Sequence, residues 1–245
     1  MPFGAQIIET GAVRFSLWAP AHAHIGLVLD ETGETLPMRA LAGGQGLDNE
    51  PGLDREPGLS GERAGWHVIT TDRAHAGSHY RFELPDGQRV PDPASRFQPD
   101  DVHGPSEVID PNAYAWRDTR WQGRRWEEAV IVEIHVGAFT PEGTFRAMID
   151  RLDHLVSLGA TAIQLMPIGD FPGHRNWGYD GVLPFAADSA YGRPEDLKAL
   201  VDAAHARQLM VLLDVVYNHF GPEGAYIHAI APQAFTDRHQ TPWGA

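Results

Sequence analysis

The stretch LMVLLDVVYN (Leu209–Asn218), which His219 follows directly, decides how the rest of the chain is interpreted. Six of the seven residues from Leu209 to Val215 are apolar, and Asp214 is the exception. A short apolar run after an amphipathic helix is typical of a buried parallel strand. Ligands bind at the carboxyl ends of such strands, so Asp214, Asn218 and His219 are candidates for one polar site. The alternative is that Asp214 caps a turn and His219 is a surface loop residue.

The same alternation of strands and helices extends upstream from this stretch. Apolar runs of strand length alternate with segments of helical periodicity, which predicts right-handed parallel β/α units. Long segments without periodicity separate them, and the last one is expected to be mobile. The predicted strands are Val130–Val136, Thr161–Pro167 and Leu209–Val216. The predicted helices are Phe145–Leu158, with Gly159 as its C-cap, and Pro194 to about Gln208. The predicted loops are Ile168–Gly192 and Phe220–Ala245.

Residues 1–95 carry a different pattern, which is that of a small all-β domain. Short alternating runs with turn signals between them, such as PDGQ (Pro85–Gln88), predict a β-sandwich. Residues 43–61 contain EPGL twice and are predicted to form a flexible hairpin tip. Trp18 and Trp66 are expected to be packed, with exposed ligand platforms as the alternative. The predicted strands are Val13–Ala19, His24–Leu29, Gly65–Thr70 and His79–Leu84.

Residues 96–129 are predicted to connect the two domains. This region begins with a Pro- and Asp-rich segment that is not expected to form regular secondary structure. Trp116, Trp121 and Trp126 recur every five residues within it. Because a tryptophan buries a large area, burial at a domain junction is the prediction and a ligand platform is the alternative.

Composition excludes several classes of protein. The 245 residues include no cysteine, so disulfides and thiolate metal sites are excluded, which fits a reducing cytoplasm. A net charge of -14 argues against a nucleic-acid or anionic-membrane partner. No apolar segment approaches the roughly 18 residues of a membrane helix, and no signal peptide is recognised. A neutral ligand would be unaffected by this net charge.

Several motifs resemble one enzyme family. DVVYNH (Asp214–His219) resembles the first short signature of the α-amylase superfamily of glycoside hydrolases, at the end of the third barrel strand. Its maltooligosyltrehalose trehalohydrolase branch is similar over NWGYDGVLPFAADSAYG (Asn176–Gly192), DVVYNHFGPEGAYI (Asp214–Ile227) and FTDRHQTPWG (Phe235–Gly244), with glycogen-branching enzymes as near relatives. RFSLWAP (Arg14–Pro20) resembles the N-terminal immunoglobulin-like domain of both groups.

The resemblance refines the predicted fold class, which is α/β with an N-terminal all-β domain. It implies an Ig-like β-sandwich similar to glycogen-binding modules in residues 1–95 and a connector in residues 96–129. It implies the first three β/α units of a (β/α)8 barrel of the amylase type, incomplete, in residues 130–245.

The resemblance also implies roles for individual residues. His219 would bind the sugar at the cleavage subsite, and Asn218 would fix the loop geometry. Asp214 would pair with an arginine from a fourth strand, and in its absence would be an unpaired buried charge. Tyr179 would be the aromatic platform at the same subsite, although it could instead anchor the loop, and Trp177 is a weaker candidate for substrate binding.

The residues that carry out the chemistry in this family follow strands four, five and seven. Three strands do not close a barrel, and about 116 residues follow Val130 where a complete barrel takes about 250. No catalytic nucleophile or acid/base is therefore assigned, and we expect an N-terminal fragment that is inactive alone.

The implied activity is hydrolysis of the α-1,4 bond next to the terminal trehalose of maltooligosyltrehalose, which releases trehalose. The expected partner is that substrate or a related α-glucan. No cofactor is expected, and no metal, because the 13 histidines show no metal-ligand spacing. The alternatives are a 1,4-α-glucan branching enzyme, a non-catalytic α-glucan-binding fragment, and a non-functional truncation product with an open sheet edge.

Overall fold

The computed structural model describes residues 3–41, 64–118, 120–236 and 238–239. The hairpin tip predicted at residues 43–61 lies outside them. The chain divides into two compact units. Unit 1 comprises Met1–Ser95, His103–Asp110 and Ala225–Ala245, and unit 2 comprises Arg96–Val102 and Pro111–Gly224.

Unit 1 is built from two antiparallel sheets. One has the strand order β1-β2-β6-β5 and the other has the order β4-β3-β7-β8, with β9 paired to β7. Apolar residues at alternate positions of the strands face one shared core, as the sequence pattern predicts. The strands are β1 (Gly4–Ile7), β2 (Val13–Trp18), β3 (Gly26–Leu29), β4 (Glu34–Pro37), β5 (Arg39–Ala40), β6 (Trp66–Thr71), β7 (His79–Glu83), β8 (Arg89–Val90) and β9 (Ser106–Glu107).

Aromatic side chains form the centre of that core. The Phe15 and Tyr80 rings meet edge to face with centroids 4.7 Å apart, and Phe82 lies 5.9 Å from Tyr80. The Tyr80 hydroxyl donates to Asp92 at 2.6 Å, so the buried phenol has a partner. Trp18 packs against this core, as predicted, and Trp66 packs against the small cluster of Leu41 and Val68.

Unit 1 also includes residues from the far end of the chain. A short helix, α5 (Ile227–Ile230), lies in the segment that the sequence predicts to be loop from Phe220 onward, so that prediction is wrong here. Ile230 and Ala231 are fully buried in the unit 1 core. The apolar run AYIHAIA (Ala225–Ala231) supplies this packing, but it is too short for a helical period to be recognised.

Unit 2 contains a three-stranded parallel sheet of order β10-β11-β14. Its strands are β10 (Ile131–Ile134), β11 (Ala162–Leu165) and β14 (Met210–Leu213), which confirms the three predicted strands with shorter bounds. Parallel pairing places Ile134, Leu165 and Leu213 in one row across the sheet. The three strands therefore end at a common edge.

Helices cover one face of this sheet. The helices of unit 2 are α1 (Val136–Phe139), α2 (Phe145–Ile149), α3 (Leu152–Ser157) and α4 (Pro194–Ala206). One continuous helix over Phe145–Leu158 is predicted, but a turn at Asp150 and Arg151 divides it into α2 and α3. The apolar spacing continues across the turn, since Met148 and Leu152 are both fully buried, and periodicity alone therefore does not reveal the break.

The predicted loop from Ile168 to Gly192 contains regular structure. An antiparallel pair, β12 (Gly169–Asp170) and β13 (Leu183–Ala187), lies within it. The register shifts between Gly169 and Asp170, so the pairing is irregular and leaves no clean alternation in the sequence. The loop prediction is wrong for these residues.

Burial of all three connector tryptophans is also contradicted. Trp116 is 43% exposed and Trp126 is 64% exposed, while Trp121 is half-buried. The size of the residue predicts burial, but polar and proline residues dominate this segment and provide few apolar neighbours. None of the helices in the described part of the chain is long and apolar enough to cross a membrane.

Candidate functional site

The carboxyl edge of the parallel sheet is where the candidate residues meet. The backbone N–H of Met166 donates to Ile134 at 2.9 Å, and that of Asp214 donates to Leu165 at the same distance. These bonds extend the ladder one residue beyond β11 and β14. The segments that leave the two strands therefore start side by side.

The segment after β11 folds into a tight loop at Asn176–Gly181. The side-chain amide of Asn176 donates from Nδ2 to the Asp180 carboxylate at 2.8 Å, and its Oδ1 accepts the Gly178 backbone N–H at 2.8 Å. Gly178 has a φ of 97°, and a Cβ at this position would lie 2.1 Å from the Pro167 carbonyl oxygen. Only glycine fits here, because both the conformation and the close approach exclude a side chain.

His135, which follows β10, forms a hydrogen bond with the backbone of this loop. Its Nε2 lies 2.7 Å from the Asn176 carbonyl oxygen, so Nε2 carries the proton and donates it. The Trp177 ring meets the imidazole edge to face at 5.6 Å, and the Tyr191 ring does so at 6.1 Å. Nδ1 of His135 is buried and has no hydrogen-bond partner within the described ranges of the chain. The neutral tautomer therefore holds the loop backbone and leaves its acceptor nitrogen unused.

His219 joins the loop after β14 to the loop after β11. Its Nε2 lies 2.8 Å from the Tyr179 carbonyl oxygen, and its Nδ1 lies 2.9 Å from the Asn218 side-chain amide nitrogen. Because a carbonyl can only accept, Nε2–H donates to Tyr179 and Nδ1 accepts from Asn218. Both ring nitrogens of the neutral imidazole are thus occupied by the chain itself.

A second contact joins the same two loops. The Gly221 backbone N–H donates to the Gly181 carbonyl at 3.0 Å. A Cβ on Gly221 would lie 2.0 Å from the Asp180 carbonyl oxygen, so this approach also requires glycine. The two loops therefore form one surface.

That surface exposes aromatic rings. Trp177 is 70% exposed and Tyr179 is 46% exposed, so Tyr179 is not the buried loop anchor that was the alternative. Asn218 and His219 are exposed beside them, and Asp214 is half-buried. Exposed aromatic faces with adjacent amide, imidazole and carboxylate groups can stack on the apolar face of a sugar ring and hydrogen-bond its hydroxyls.

The structure thus brings four of the five predicted site residues into one loop pair, and Asp214 lies at the strand end that precedes it. The expectation that Asp214 is an unpaired buried charge does not hold, because its side chain retains partial access to water. Asn176, Gly178 and Gly221 are additional positioning residues. The Asn-x-Gly spacing is the sequence signal for Asn176 and Gly178, because an Asn side chain readily accepts a hydrogen bond from the backbone N–H two residues later.

Two buried carboxyl groups lie in the segment between β11 and α4, which also carries Trp177 and Tyr179. Asp170 and Asp188 are almost fully buried. Neither carboxylate oxygen of Asp170 accepts a well-formed hydrogen bond from the residues that the structure describes. Burial raises the pKa of Asp170 to about 8, with repulsion from Asp188 and Asp101 adding to it and the Ser189 backbone N–H offsetting a part. Burial likewise raises the pKa of Asp188 to about 6, against hydrogen bonds from the Ala190 and Phe171 backbones. These groups are inaccessible to a ligand and are not candidates for glycoside chemistry.

No group of three or more His, Cys, Asp or Glu side chains in the described ranges is arranged to hold a metal ion.

Comparisons with known proteins show which family the chain belongs to. The family model for the alpha amylase catalytic domain matches residues 86–241. A malto-oligosyltrehalose trehalohydrolase of Saccharolobus solfataricus is 41% identical over 244 residues, which covers 100% of this chain and 39% of the relative. One of Deinococcus radiodurans is 54% identical over 168 residues, which covers 69% of this chain and 28% of the relative.

A solved structure shows the same fold. A crystal structure from Salmonella typhimurium, whose protein carries a provisional alpha-amylase name, superposes with a TM-score of 0.87 at 47% identity. The match covers 99% of this chain and 38% of that one. The chain thus spans well under half the length of each of these relatives. From the family model and this fold, the chain belongs to the α-amylase family.

Proposed function

We propose that the protein containing this chain is a glycoside hydrolase that cleaves the α-1,4 bond next to the terminal trehalose of maltooligosyltrehalose and releases trehalose. One observation carries the proposal. The hydrogen bond from His219 to the Tyr179 carbonyl, at 2.8 Å, unites two loops into a surface that exposes Trp177 and Tyr179. The proposed substrate comes from the names of relatives that are 41% and 54% identical to this chain.

The role of this chain in such an enzyme is to bind and orient the sugar. Retaining hydrolysis requires two carboxyl groups about 5–5.5 Å apart across the scissile bond. By resemblance, these groups follow strands later than β14. We therefore assign no catalytic nucleophile or acid/base to this chain, and expect no cleavage by it alone.

Each residue of the loop surface has a proposed part in binding. Trp177 and Tyr179 stack on glucose rings, whose axial C–H groups meet the aromatic faces. Asn218 orients His219, and His219 fixes Tyr179 through the loop backbone. Because both nitrogens of His219 are already engaged, a sugar hydroxyl that bonded this ring would displace Asn218 from Nδ1. Asp214 lies at the strand end, where by resemblance an arginine pairs with it.

The remaining organisation is proposed from the same resemblance. The antiparallel unit that begins the chain would be an immunoglobulin-like domain in residues 1–95, followed by a connector in residues 96–129. Residues 130–245 would hold the first three β/α units of the barrel. The two antiparallel sheets with one core, and the parallel sheet with helices on one face, support this assignment.

The test combines binding and product analysis with the purified chain and maltooligosyltrehalose. We expect saturable quenching of tryptophan fluorescence without trehalose release. Trp177→Ala should weaken binding about fivefold, since stacking on a ring contributes on the order of 1 kcal/mol. Trp126→Ala, which removes a similarly exposed ring elsewhere, is the matched control and should leave affinity unchanged.

Other outcomes would contradict parts of the proposal. Trehalose release by the chain alone would show that it carries a carboxylate pair. Formation of α-1,6 branches, when the chain is combined with the remaining part of a relative, would favour a branching enzyme over a hydrolase. Equal effects of the two tryptophan variants would remove the loop surface as the sugar site.

A further inference from the structure

A cavity of about 550 Å³ opens at the C-terminal end of α4, within unit 2. Its volume lies in the usual range for small-molecule sites. Four residues of the connector form one side: Arg117, Asp118, Arg120 and Trp121. Residues of the last turns of α4 and the two residues after it contribute the other side. The predicted function makes no use of it.

The cavity holds an aromatic ring in a fixed orientation. Trp121 stacks on the imidazole of His205, with ring centroids 4.3 Å apart and planes inclined by 11°. Nδ1 of His205 lies 2.6 Å from the Asp118 carboxylate, so the imidazole is itself held in place. A ring fixed in this way loses little conformational freedom when a ligand packs on it.

The charges around the cavity are balanced. Arg117 pairs with Asp202 at 3.2 Å, and Arg207 pairs with Asp153 at 2.7 Å. Arg120 and Asp118 also line the cavity, and Asp118 bonds His205. The three arginines of the lining therefore lie near three aspartates, of which Asp153 is outside the lining. An anionic ligand would find no excess of positive charge here. A neutral ligand with many hydroxyl groups would find planar donors and acceptors on several sides.

The position of the cavity separates it from the loop surface. Helix α4 runs antiparallel to the strands, so its C-terminal end lies at the amino edge of the sheet. Asp214 and His219 follow the opposite edge. The four residues of β14 alone span roughly 13 Å at about 3.3 Å per residue. A ligand in the cavity therefore does not compete with one on the loops.

We infer that this cavity is a second α-glucan site, with Trp121 as the stacking platform and Arg120 and Asp118 as hydrogen-bonding groups. A glucose ring has one apolar face for the indole, and equatorial hydroxyls that match a guanidinium and a carboxylate. That the saccharide is an α-glucan rests on the proposed function. The site would tether a long glucan while its end lies on the loop surface.

The test measures maltoheptaose binding by calorimetry in a Trp177→Ala, Tyr179→Ala background, which removes the loop platform. Binding should persist in that background. Adding Trp121→Ala should weaken it about tenfold or more, whereas adding Trp126→Ala should not change it. Arg120→Ala alters an exposed side chain, and should weaken binding several-fold without changing the thermal midpoint.

The other possible results of these measurements either support the second site or overturn it. Unchanged affinity for maltoheptaose in both Trp121→Ala and Arg120→Ala would overturn the inference. So would binding of inorganic phosphate or cellohexaose, but not maltoheptaose, that depends on Trp121. If Trp177→Ala has no effect in the otherwise unaltered chain but Trp121→Ala does, the loop proposal fails and this one stands. If Trp121→Ala lowers the thermal midpoint, Trp121→Phe, which keeps an aromatic face, must restore most of the affinity.

Discussion

Asp170 shows how one buried carboxyl group can set the pH dependence of the fold. Its pKa is raised to about 8 by burial, and neighbouring carboxylates add to the shift. The folded state therefore retains a proton that the unfolded chain, with an ordinary pKa of about 3.9, has released. The contribution of Asp170 to the free energy of unfolding therefore falls as pH rises from about 4 to about 8, and stays low above that.

We predict that Asp170→Asn removes most of this loss. The amide stays neutral at every pH, so the variant should exceed the parent chain in unfolding free energy by roughly 3–6 kcal/mol at pH 9. Near pH 4 the unfolding free energies of the variant and the parent chain should be similar. Urea unfolding from pH 4 to pH 9 measures the difference. Parallel pH profiles would mean that Asp170 is ionised and stabilised in the folded state.

Gly178 offers a second residue-level prediction, with Gly173 as its control. Both have a positive φ, 97° and 80°, but a Cβ on Gly173 would meet nothing within 4 Å. Gly173→Ala should cost about 1–2 kcal/mol of stability through backbone conformation alone. Gly178→Ala adds a collision with the Pro167 carbonyl and should cost more. It should also weaken binding of maltooligosyltrehalose, which Gly173→Ala should not.

Equal losses in thermal stability and no change in affinity would show that the loop adjusts around the new methyl group. In that case the close approach at Pro167 is not what shapes the loop surface.

The two loops at the carboxyl edge of the sheet act as one element because His219 ties them. We predict that His219→Ala raises the rate of amide hydrogen exchange in residues 176–181 and weakens glucan binding about tenfold. Stability should change by under 1 kcal/mol, since the ring is exposed and makes neutral hydrogen bonds. Hydrogen exchange with mass spectrometry measures the first effect.

His228→Ala, an exposed histidine in α5, provides the control and should leave that exchange unchanged. Unaltered exchange in His219→Ala would indicate that the Gly221–Gly181 bond alone holds the loops together.

The elements that sequence reasoning predicts well are those whose burial follows a period. The strands β10, β11 and β14 are short apolar runs, and α4 buries Leu200 and Ala204 on one side. The pair β12 and β13 is not predicted, because its pairing is irregular and depends on tertiary contacts across an apparent loop. The strands β1, β4, β5 and β9 are also missed, since short strands at or near sheet edges carry little alternation. For β9 (Ser106–Glu107) this contradicts the expectation that the start of the connector forms no regular secondary structure.

The same distinction applies to the site. Parallel strands end at one edge, so Asp214, Asn218 and His219 could be predicted to lie near the loop of Tyr179. The hydrogen bond from Nε2 of His219 could not be predicted, because its acceptor is a backbone carbonyl, which any residue could supply. Asp170 was not predicted either, since DFPG resembles an exposed turn and only the folded neighbours bury it.

At the scale of the whole molecule, residues far apart in sequence share one core. Ile230 is fully buried in unit 1 with Phe15 and Tyr80, and Nε2 of His22 lies 2.7 Å from the Ala229 carbonyl oxygen. Chain order therefore does not define the units. The N-terminal sheets depend for part of their core on a segment that follows the last parallel strand.

We predict that Ile230→Ala destabilises unit 1 by about 2–4 kcal/mol, because it leaves a cavity in a packed core. Amide exchange should accelerate in β2 and β7, whereas β11, whose neighbours form a separate core, should retain its protection. Ile227→Ala truncates a half-buried residue of the same helix, so its effect should be smaller. Equal acceleration in β2 and β11 would mean that the two units unfold together, and no acceleration in β2 would mean that α5 is not needed for the core of unit 1.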